Sequence, residues 1–232
     1  MNTNQHGHFD CNQCLFKIIS CKFIPNDDFE LIRRTSYQNK YQKGETILKQ
    51  NAKSSGLLYL HKGIVKMIYQ TDDGRNIITT IVKGPKLLGG ANLFFKDTNI
   101  FGIVAVENCD ICNIDIRALR SVAVKHGNYI LSMFEQTVNM FQSSIFNFIS
   151  LAYKHVYGRI ADILIYLSEN VYNGNEYEFN ISRKELAEFA ACSHENVITT
   201  LSKLKREGIV SFEGKKIIIN DIKKLYEISK IG

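Results

Sequence analysis

The chain has 232 residues, 45% of them hydrophobic, with 29 Lys+Arg against 23 Asp+Glu and a formal charge of +6. That is enough for one large domain or two small ones with real cores, and the charge suits a polyanionic partner. No apolar run approaches membrane-spanning length and Met1 to His8 has no signal-peptide core, so neither a membrane-spanning nor a secreted chain is expected. The expected location is the cytoplasm, where the six cysteines are reduced thiols or metal ligands rather than structural disulfides. The charge is unevenly placed: Leu151 to Gly232 holds 12 Lys+Arg and 11 Asp+Glu, so that part carries only +1.

The N-terminal arm crowds Cys11, Cys14 and Cys21 into a C-x2-C-x6-C pattern, and Cys109 and Cys112 lie far downstream. Four thiolates suit an iron–sulfur cluster or a tetrahedral zinc ion, with C-x2-C the usual zinc half-motif. Unligated thiols would instead form a reversible disulfide. Cysteine also fills core gaps as a small apolar residue, a reading that fits Cys109 and Cys192 better than three Cys in a polar arm. His6 and His8 read as an ordinary terminal pair, and His126 and His155 as surface or junction residues.

From about Glu45 to Ile116, short β-rich runs alternate with turn signals. Leu57 to His61, Ile64 to Gln70, Asn76 to Val82, Phe101 to Val106 and Ile111 to Ile116 are the runs. Lys62-Gly63, Asp72-Asp73-Gly74 and Gly84-Pro85 punctuate them. This spacing predicts a small β-roll or barrel. Downstream, Leu131, Phe134, Val138, Phe141, Ile145, Phe148 and Ala152 recur at steps of three and four, a heptad seam suited to packing along a partner helix. Ser132, Glu135, Gln136, Asn139, Gln142 and Ser143 fall between them and suit water.

The stretch from Ile181 to Ile219 predicts two helices joined by a tight turn, then a hairpin. Ser182 with Glu185 forms a capping box. Leu186, Phe189 and Ala190 give the first helix its apolar stripe, and Ser193 caps a second with Val197, Leu201 and Leu204 inward. Gly208 ends that helix, and Glu213-Gly214 turns the strands Ile209 to Phe212 and Lys215 to Ile219. The pattern is a winged helix-turn-helix, whose second helix enters a DNA major groove. His194, Glu195, Asn196, Thr199 and Thr200 are short polar groups where base edges are read. Lys203, Lys205, Arg206, Lys215 and Lys216 are placed for phosphates.

This segment closely resembles the DNA-binding domain of the CRP/FNR family of bacterial transcription regulators, through Ile181-Ser182-Arg183-Lys184-Glu185, Cys192-Ser193-His194-Glu195-Asn196-Val197 and the glycine-turn hairpin. The resemblance extends upstream through Lys43-Gly44-Glu45-Thr46-Ile47-Leu48, Leu58-Tyr59-Leu60, Gly63 and Asp73-Gly74. It implies an α+β chain: an arm over 1–22, a cyclic-nucleotide-binding-like β-roll sensor over 23–117, a long dimerisation helix over 118–153 and the winged helix-turn-helix over 154–232. It further implies a homodimer through Leu131, Phe134, Val138, Phe141, Ile145 and Phe148, a palindromic operator in double-stranded DNA, and RNA polymerase as a partner. Glu195 would accept from a cytosine amino group, His194 and Thr199 would contact neighbouring bases, and Arg183 would hold a phosphate.

Cyclic-nucleotide-binding members carry a glutamate after the cassette glycine and an Arg-Ser or Arg-Thr pair beyond it. Here Gly90 stands at the glutamate position of Gly89-Gly90-Ala91-Asn92-Leu93-Phe94, and Phe95 to Glu107 has no arginine, which argues against cyclic AMP. The oxygen-sensing FNR branch holds a 4Fe-4S cluster on three N-terminal cysteines and one distant one. The resemblance assigns those positions to Cys11, Cys14, Cys21 and Cys112, although the second gap is one residue longer here. A small-molecule, heme or vestigial sensor with non-ligating cysteines is the alternative. No metalloprotease, P-loop, dinucleotide or paired-carboxylate motif stands out, so the expectation is that the chain is not an enzyme, a thiol-dependent one included.

Overall fold

The computed structural model describes residues 11–53, 56–88 and 98–231. The chain forms two compact units, Met1–Val65 with Lys83–Gln142 and Lys66–Val82 with Ser143–Gly232.

In the first unit the arm makes short turns at Cys11–Gln13 and Phe16–Ser20 before helix α1 (Asn26–Thr35). Pro25 stands just ahead of α1, where its missing N–H costs nothing, and Asp27 and Asp28 occupy the positive end of the helix dipole. The strands β1 (Tyr37–Tyr41), β2 (Thr46–Leu48), β3 (Gly56–Lys62) and the start of β4 (Ile64–Gln70) follow. After β5 (Asn76–Lys83) come β6 (Lys86–Leu88), β7 (Gly102–Ala105) and β8 (Cys109–Asp115). One antiparallel sheet runs β1-β8-β3-β6, with Gln38 and Tyr59 both opposite Cys112, so those three residues form a row across three strands. A second sheet pairs β2 with β7 through Thr46↔Val104. These are the short, turn-separated strands expected of a β-roll. Gly63, at φ +106, is obligatory: a Cβ there would lie 2.6 Å from both the Asn108 carbonyl oxygen and Cys109 Sγ.

The core of this unit joins Leu57, Tyr59 and Ile114 of the sheet to Phe29 and Ile32 of α1, with Cys14, Phe16, Cys21 and Ile24 of the arm buried among them. Helix α2 (Ile116–Ala123), capped by Asp115 at 2.8 and 2.9 Å, adds Leu119 and Val122, and Tyr129 enters from the first turn of α3 (Gly127–Tyr153). The helix expected over 118–153 is therefore two helices. Lys125 and His126, at the break, both bond the carboxylate of Asp28, at 3.1 and 2.7 Å. That clasp is supplied by α1, far off in sequence, and leaves no mark on the local periodicity.

In the second unit the outer parts of β4 and β5 form a hairpin tied to α4 (Val156–Tyr166). The Tyr166 hydroxyl donates to the Ile81 carbonyl at 2.7 Å and sits 3.1 Å from Thr80 Oγ1. A turn at Leu167–Tyr172 leads to β9 (Glu176–Glu178), α5 (Arg183–Ala190), α6 (His194–Arg206), β10 (Val210–Glu213), β11 (Lys216–Ile219) and α7 (Ile222–Ile231). The small sheet runs β10-β11-β9. Ile160, Leu164, Leu186, Phe189, Val197, Leu201, Leu204 and Ile217 are buried and hold α4, α5, α6 and the wing together. Among the described residues, no helix is long and apolar enough to cross a membrane.

Candidate functional site

The helix-turn-helix is built by local signals. Ser182 Oγ accepts from the Glu185 N–H at 3.2 Å while Glu185 accepts from the Ser182 N–H at 2.6 Å, closing the capping box on α5. Burial alone would raise the Glu185 pKa, but Lys66 and Ser182 hold its carboxyl below the usual range. α5 ends at Ala191, a non-glycine residue in the left-handed region (φ 46°), whose carbonyl accepts from Arg159 at 3.2 Å. Ser193 then caps α6 through the Asn196 N–H at 3.2 Å. Gly208, at φ 72°, closes the far end.

Val197, Thr200, Leu201 and Leu204 face inward from α6. Thr200 is only 8% exposed, which corrects its expected place on the DNA-facing side. Three residues from Val197 and four from Leu204, it shares their stripe, so helix geometry overrides its polarity. The outward stripe runs instead through Glu195, Ile198, Thr199 and Ser202, all exposed, with His194 and Asn196 beside its N-terminal end. Ile198 and Ser202 were legible from the same 3.6-residue period. Glu195 is held below the ordinary carboxylate range by its own backbone N–H and the Ser193 hydroxyl, so at neutral pH it is purely an acceptor.

The cations are less uniform than their spacing suggests. Lys205, Arg206 and Lys215 are exposed. Lys203 Nζ lies 4.1 Å from the centre of the Tyr157 ring, and Lys216 pairs with Glu176 on the neighbouring strand. The Arg183 guanidinium sits between Phe179 and Phe212, at 5.2 and 5.0 Å, which fixes it at the start of α5.

The second constellation lies in the first unit. A cavity of about 20 Å³ is lined by Cys11, Cys14, Cys112 and His61, with Arg33, Gln38 and Ser36 around them. The sheet register assembles it: Gln38 and Cys112 share a cross-strand row with Tyr59, and His61 follows two residues along β3 on the same face. Cys14 Sγ is 3.6 Å from His61 Nε2, and Gln38 Nε2 donates to Cys11 Sγ at 3.7 Å. Burial, then the neighbouring Cys14 and Cys11, pushes the Cys112 thiol up to about 12. Burial pushes His61 down to about 4, so its imidazole is neutral at pH 7.

Cys21 is not among the residues lining this cavity. It is 2% exposed, and its thiol meets the hydroxyl of Tyr129. Among the described residues the Tyr129 oxygen has no stronger hydrogen-bond partner, and its contact with Cys21 Sγ is a weak one, as expected of sulfur. Cys109 packs on Gly63 and donates to the Ile64 carbonyl at 3.4 Å, a structural role. His61 was missed in the sequence although Leu57-Tyr59-His61 alternates onto one strand face. The stretch Gly89 to Phe94 and the pair His6 and His8 lie outside the described residues.

The cavity's volume, room for about one water, and the placement of Cys21 do not fit a 4Fe-4S cluster on Cys11, Cys14, Cys21 and Cys112. Among the described residues, no three His, Cys, Asp or Glu side chains stand at ligand distance from one point.

A β-roll, a long helix and a capped helix-turn-helix with a wing define a DNA-binding transcription regulator. Residues 38–126 match the cyclic nucleotide-binding domain model and residues 158–228 the Crp-like helix-turn-helix domain model. The chain belongs to the CRP/FNR family of transcription regulators. It is 26% identical over 185 residues to the cAMP-activated global transcriptional regulator CRP of Pasteurella multocida, covering 78% of this chain and 88% of that protein. FixK2 from Bradyrhizobium japonicum has the same fold, with a TM-score of 0.76 at 17% identity over 83% of this chain and 96% of that one. So does the c-di-GMP responsive regulator CLP of Xanthomonas campestris, with a TM-score of 0.72 at 21% identity over 85% of this chain and 100% of that one.

Proposed function

We propose that the chain acts in the cytoplasm as a homodimeric, sequence-specific regulator whose operator affinity follows the state of its thiol cavity. The observation that carries the DNA-reading part is the outward stripe of α6, polar at its capped N-terminal end and flanked by Lys205, Arg206 and Lys215. Glu195 accepts from a cytosine amino group, His194, Asn196 and Thr199 reach neighbouring bases, and Arg183, Ser193 and Lys203 meet the backbone. Self-association is supported by the apolar seam on α3. Leu131, Phe134 and Phe148 are 62%, 65% and 71% exposed in the single chain, and Val138 and Ile145 are exposed with them. The side chain of Phe141, expected in the same seam, lies outside the described residues. A two-fold dimer presents two copies of α6 to half-sites about one helical turn apart, and RNA polymerase is the partner that reads the bound dimer.

The sensing part rests on Cys11, Cys14 and Cys112 lining one cavity. A cofactor held by these thiolates makes the protein responsive to oxygen, nitric oxide or redox state, because oxidation removes its ligands. The signal acts by favouring one dimer geometry over another, since equal affinity for both would shift nothing. Cyclic AMP is not the proposed effector: Gly90 replaces the carboxylate that would hold the ribose.

The test is fluorescence anisotropy on an operator obtained by in vitro selection, with protein kept anaerobic and then exposed to air or a nitric oxide donor. A palindromic selected site and an affinity that changes reversibly with the treatment are expected. Tight binding that ignores both treatments removes the sensing reading and leaves the DNA reading.

A further inference from the structure

We propose that Ile198 is a specificity-determining contact that reads the 5-methyl group of a thymine, in the base pair next to the G·C pair assigned to Glu195. The assignment deepens the proposed DNA-reading role and rests on it.

Position comes first. Ile198 lies three residues after Glu195 and four before Ser202, so the three share one face of α6, with Thr199 beside them. That face points away from the core, which α6 meets from its other side through Val197, Leu201 and Leu204. Three residues of helix advance about 4.5 Å, and successive bases of one strand stand about 3.4 Å apart. A side chain one turn beyond Glu195 therefore meets the neighbouring base pair when α6 lies in the groove.

Exposure sets Ile198 apart from the rest of its domain. Among the described residues of 154–230 it is the one large aliphatic side chain left exposed, at 47%. Tyr226, the other large hydrophobic residue exposed there, has its hydroxyl bonded to Glu169. A lone apolar residue on a protein surface is ordinary. This one stands among polar neighbours on the outward face of the helix that reads DNA. Local helix formation does not account for it, because β-branched isoleucine is a poorer helix former than alanine or leucine.

The chemistry agrees. The thymine methyl is the apolar group that base edges present in the major groove. Isoleucine has no side-chain donor or acceptor, so its gain comes from taking apolar surface of both partners out of water. On a helix its branched side chain keeps largely to one rotamer, and little freedom is lost on contact. The same surface disfavours cytosine, whose amino group would lose water there without a partner. Glu195 thus supplies an acceptor and Ile198 an apolar surface, and together they specify a step of two base pairs.

The experiment starts from operators selected by the full-length protein, anaerobic and air-exposed, with the tighter-binding state carried forward. Each thymine of the half-site is then replaced by deoxyuridine, which keeps every hydrogen-bonding group and removes only the methyl. Fluorescence anisotropy gives the affinities of wild type, Ile198→Val and Ile198→Ala. For the wild type, deoxyuridine at one position beside the G·C pair is expected to cost about fourfold in one half-site and about fifteenfold in both. The loss should shrink in Ile198→Val and vanish in Ile198→Ala, whose thermal midpoint should match that of the wild type. A wild type indifferent to deoxyuridine at every position overturns the assignment and leaves DNA reading intact. So does a half-site with no thymine beside that pair, or a deoxyuridine loss of equal size in wild type and Ile198→Ala. Failure to select any preferred sequence overturns both.

Discussion

Glu185 uses both oxygens of one carboxylate: one closes the capping box on the Ser182 N–H, the other takes the ammonium of Lys66 on β4. The two residues are far apart in sequence, and both are largely shielded from water, Lys66 at 14% and Glu185 at 25% side-chain exposure. Replacing Glu185 by Ala removes a cap and leaves a shielded ammonium without its partner, at an expected cost of about 1–3 kcal/mol. Lys66→Ala removes only the pair and should cost less. Urea midpoints at constant slope measure both, and equal midpoints for wild type and Glu185→Ala contradict the coupling.

On α6, adjacent threonines separate reading from folding. Thr199→Ala should weaken operator binding with little effect on stability, and Thr200→Ala should do the reverse, costing about 1 kcal/mol of folding free energy. Glu195→Ala is expected to relax preference at one base pair by about 1–3 kcal/mol of discrimination. A selection experiment run on each variant reads these effects directly. Unchanged preference at every position after Glu195→Ala would show that another residue reads that base.

Phe134 and Phe148 lie one on each half of α3, both largely exposed. Phe134→Glu and Phe148→Glu place charges in the proposed seam and should yield monomers by light scattering, with operator affinity reduced at least roughly tenfold through loss of the second half-site. The monomer unit should keep its far-UV spectrum outside the helix contribution.

Acid stability should depend on α1. His126, then Lys125, hold the Asp28 carboxyl below its usual range, and Arg33, then Arg34, hold Glu30 down to about 2. A carboxylate with a depressed folded-state pKa stabilises fully above its unfolded value and loses that contribution as pH falls toward the folded one. Stability should therefore decline from about pH 4.5 toward pH 2. Asp28→Asn and Glu30→Gln should each flatten that decline, measured as thermal midpoints across the range.

The DNA-reading domain was legible because its signals are local: a capping box, a capped second helix, a glycine stop and a two-residue hairpin turn fall within forty or so residues and agree with one another. Thr200 was misplaced because polarity was weighed above period, although Val197 and Leu204 define the stripe to which it belongs. The thiol site was legible only in part. Spacing points to Cys11, Cys14 and a distant cysteine, but no local pattern shows that β3 and β8 pair Tyr59 with Cys112 and so bring His61 to the same cavity. The clasp at the break between α2 and α3 was hidden for the same reason, since its partner Asp28 comes from α1.

α3 is anchored near its two ends, by Tyr129 in the core of one unit and by Asn147 and Ser150, bonded to Thr79 and Asp162, in the other. Between these anchors Met133 packs against the core of the first unit, whereas Leu131, Phe134, Val138 and Ile145 are exposed. A helical stretch of that length with so little packing is marginal in water. In a lone protomer its amides should therefore exchange with solvent far faster than those of α4 or α6, and in the proposed dimer pairing with a second copy would complete its folding. On that proposal assembly and helix formation would share one equilibrium, and the abundance of the protein would itself become an input to gene control.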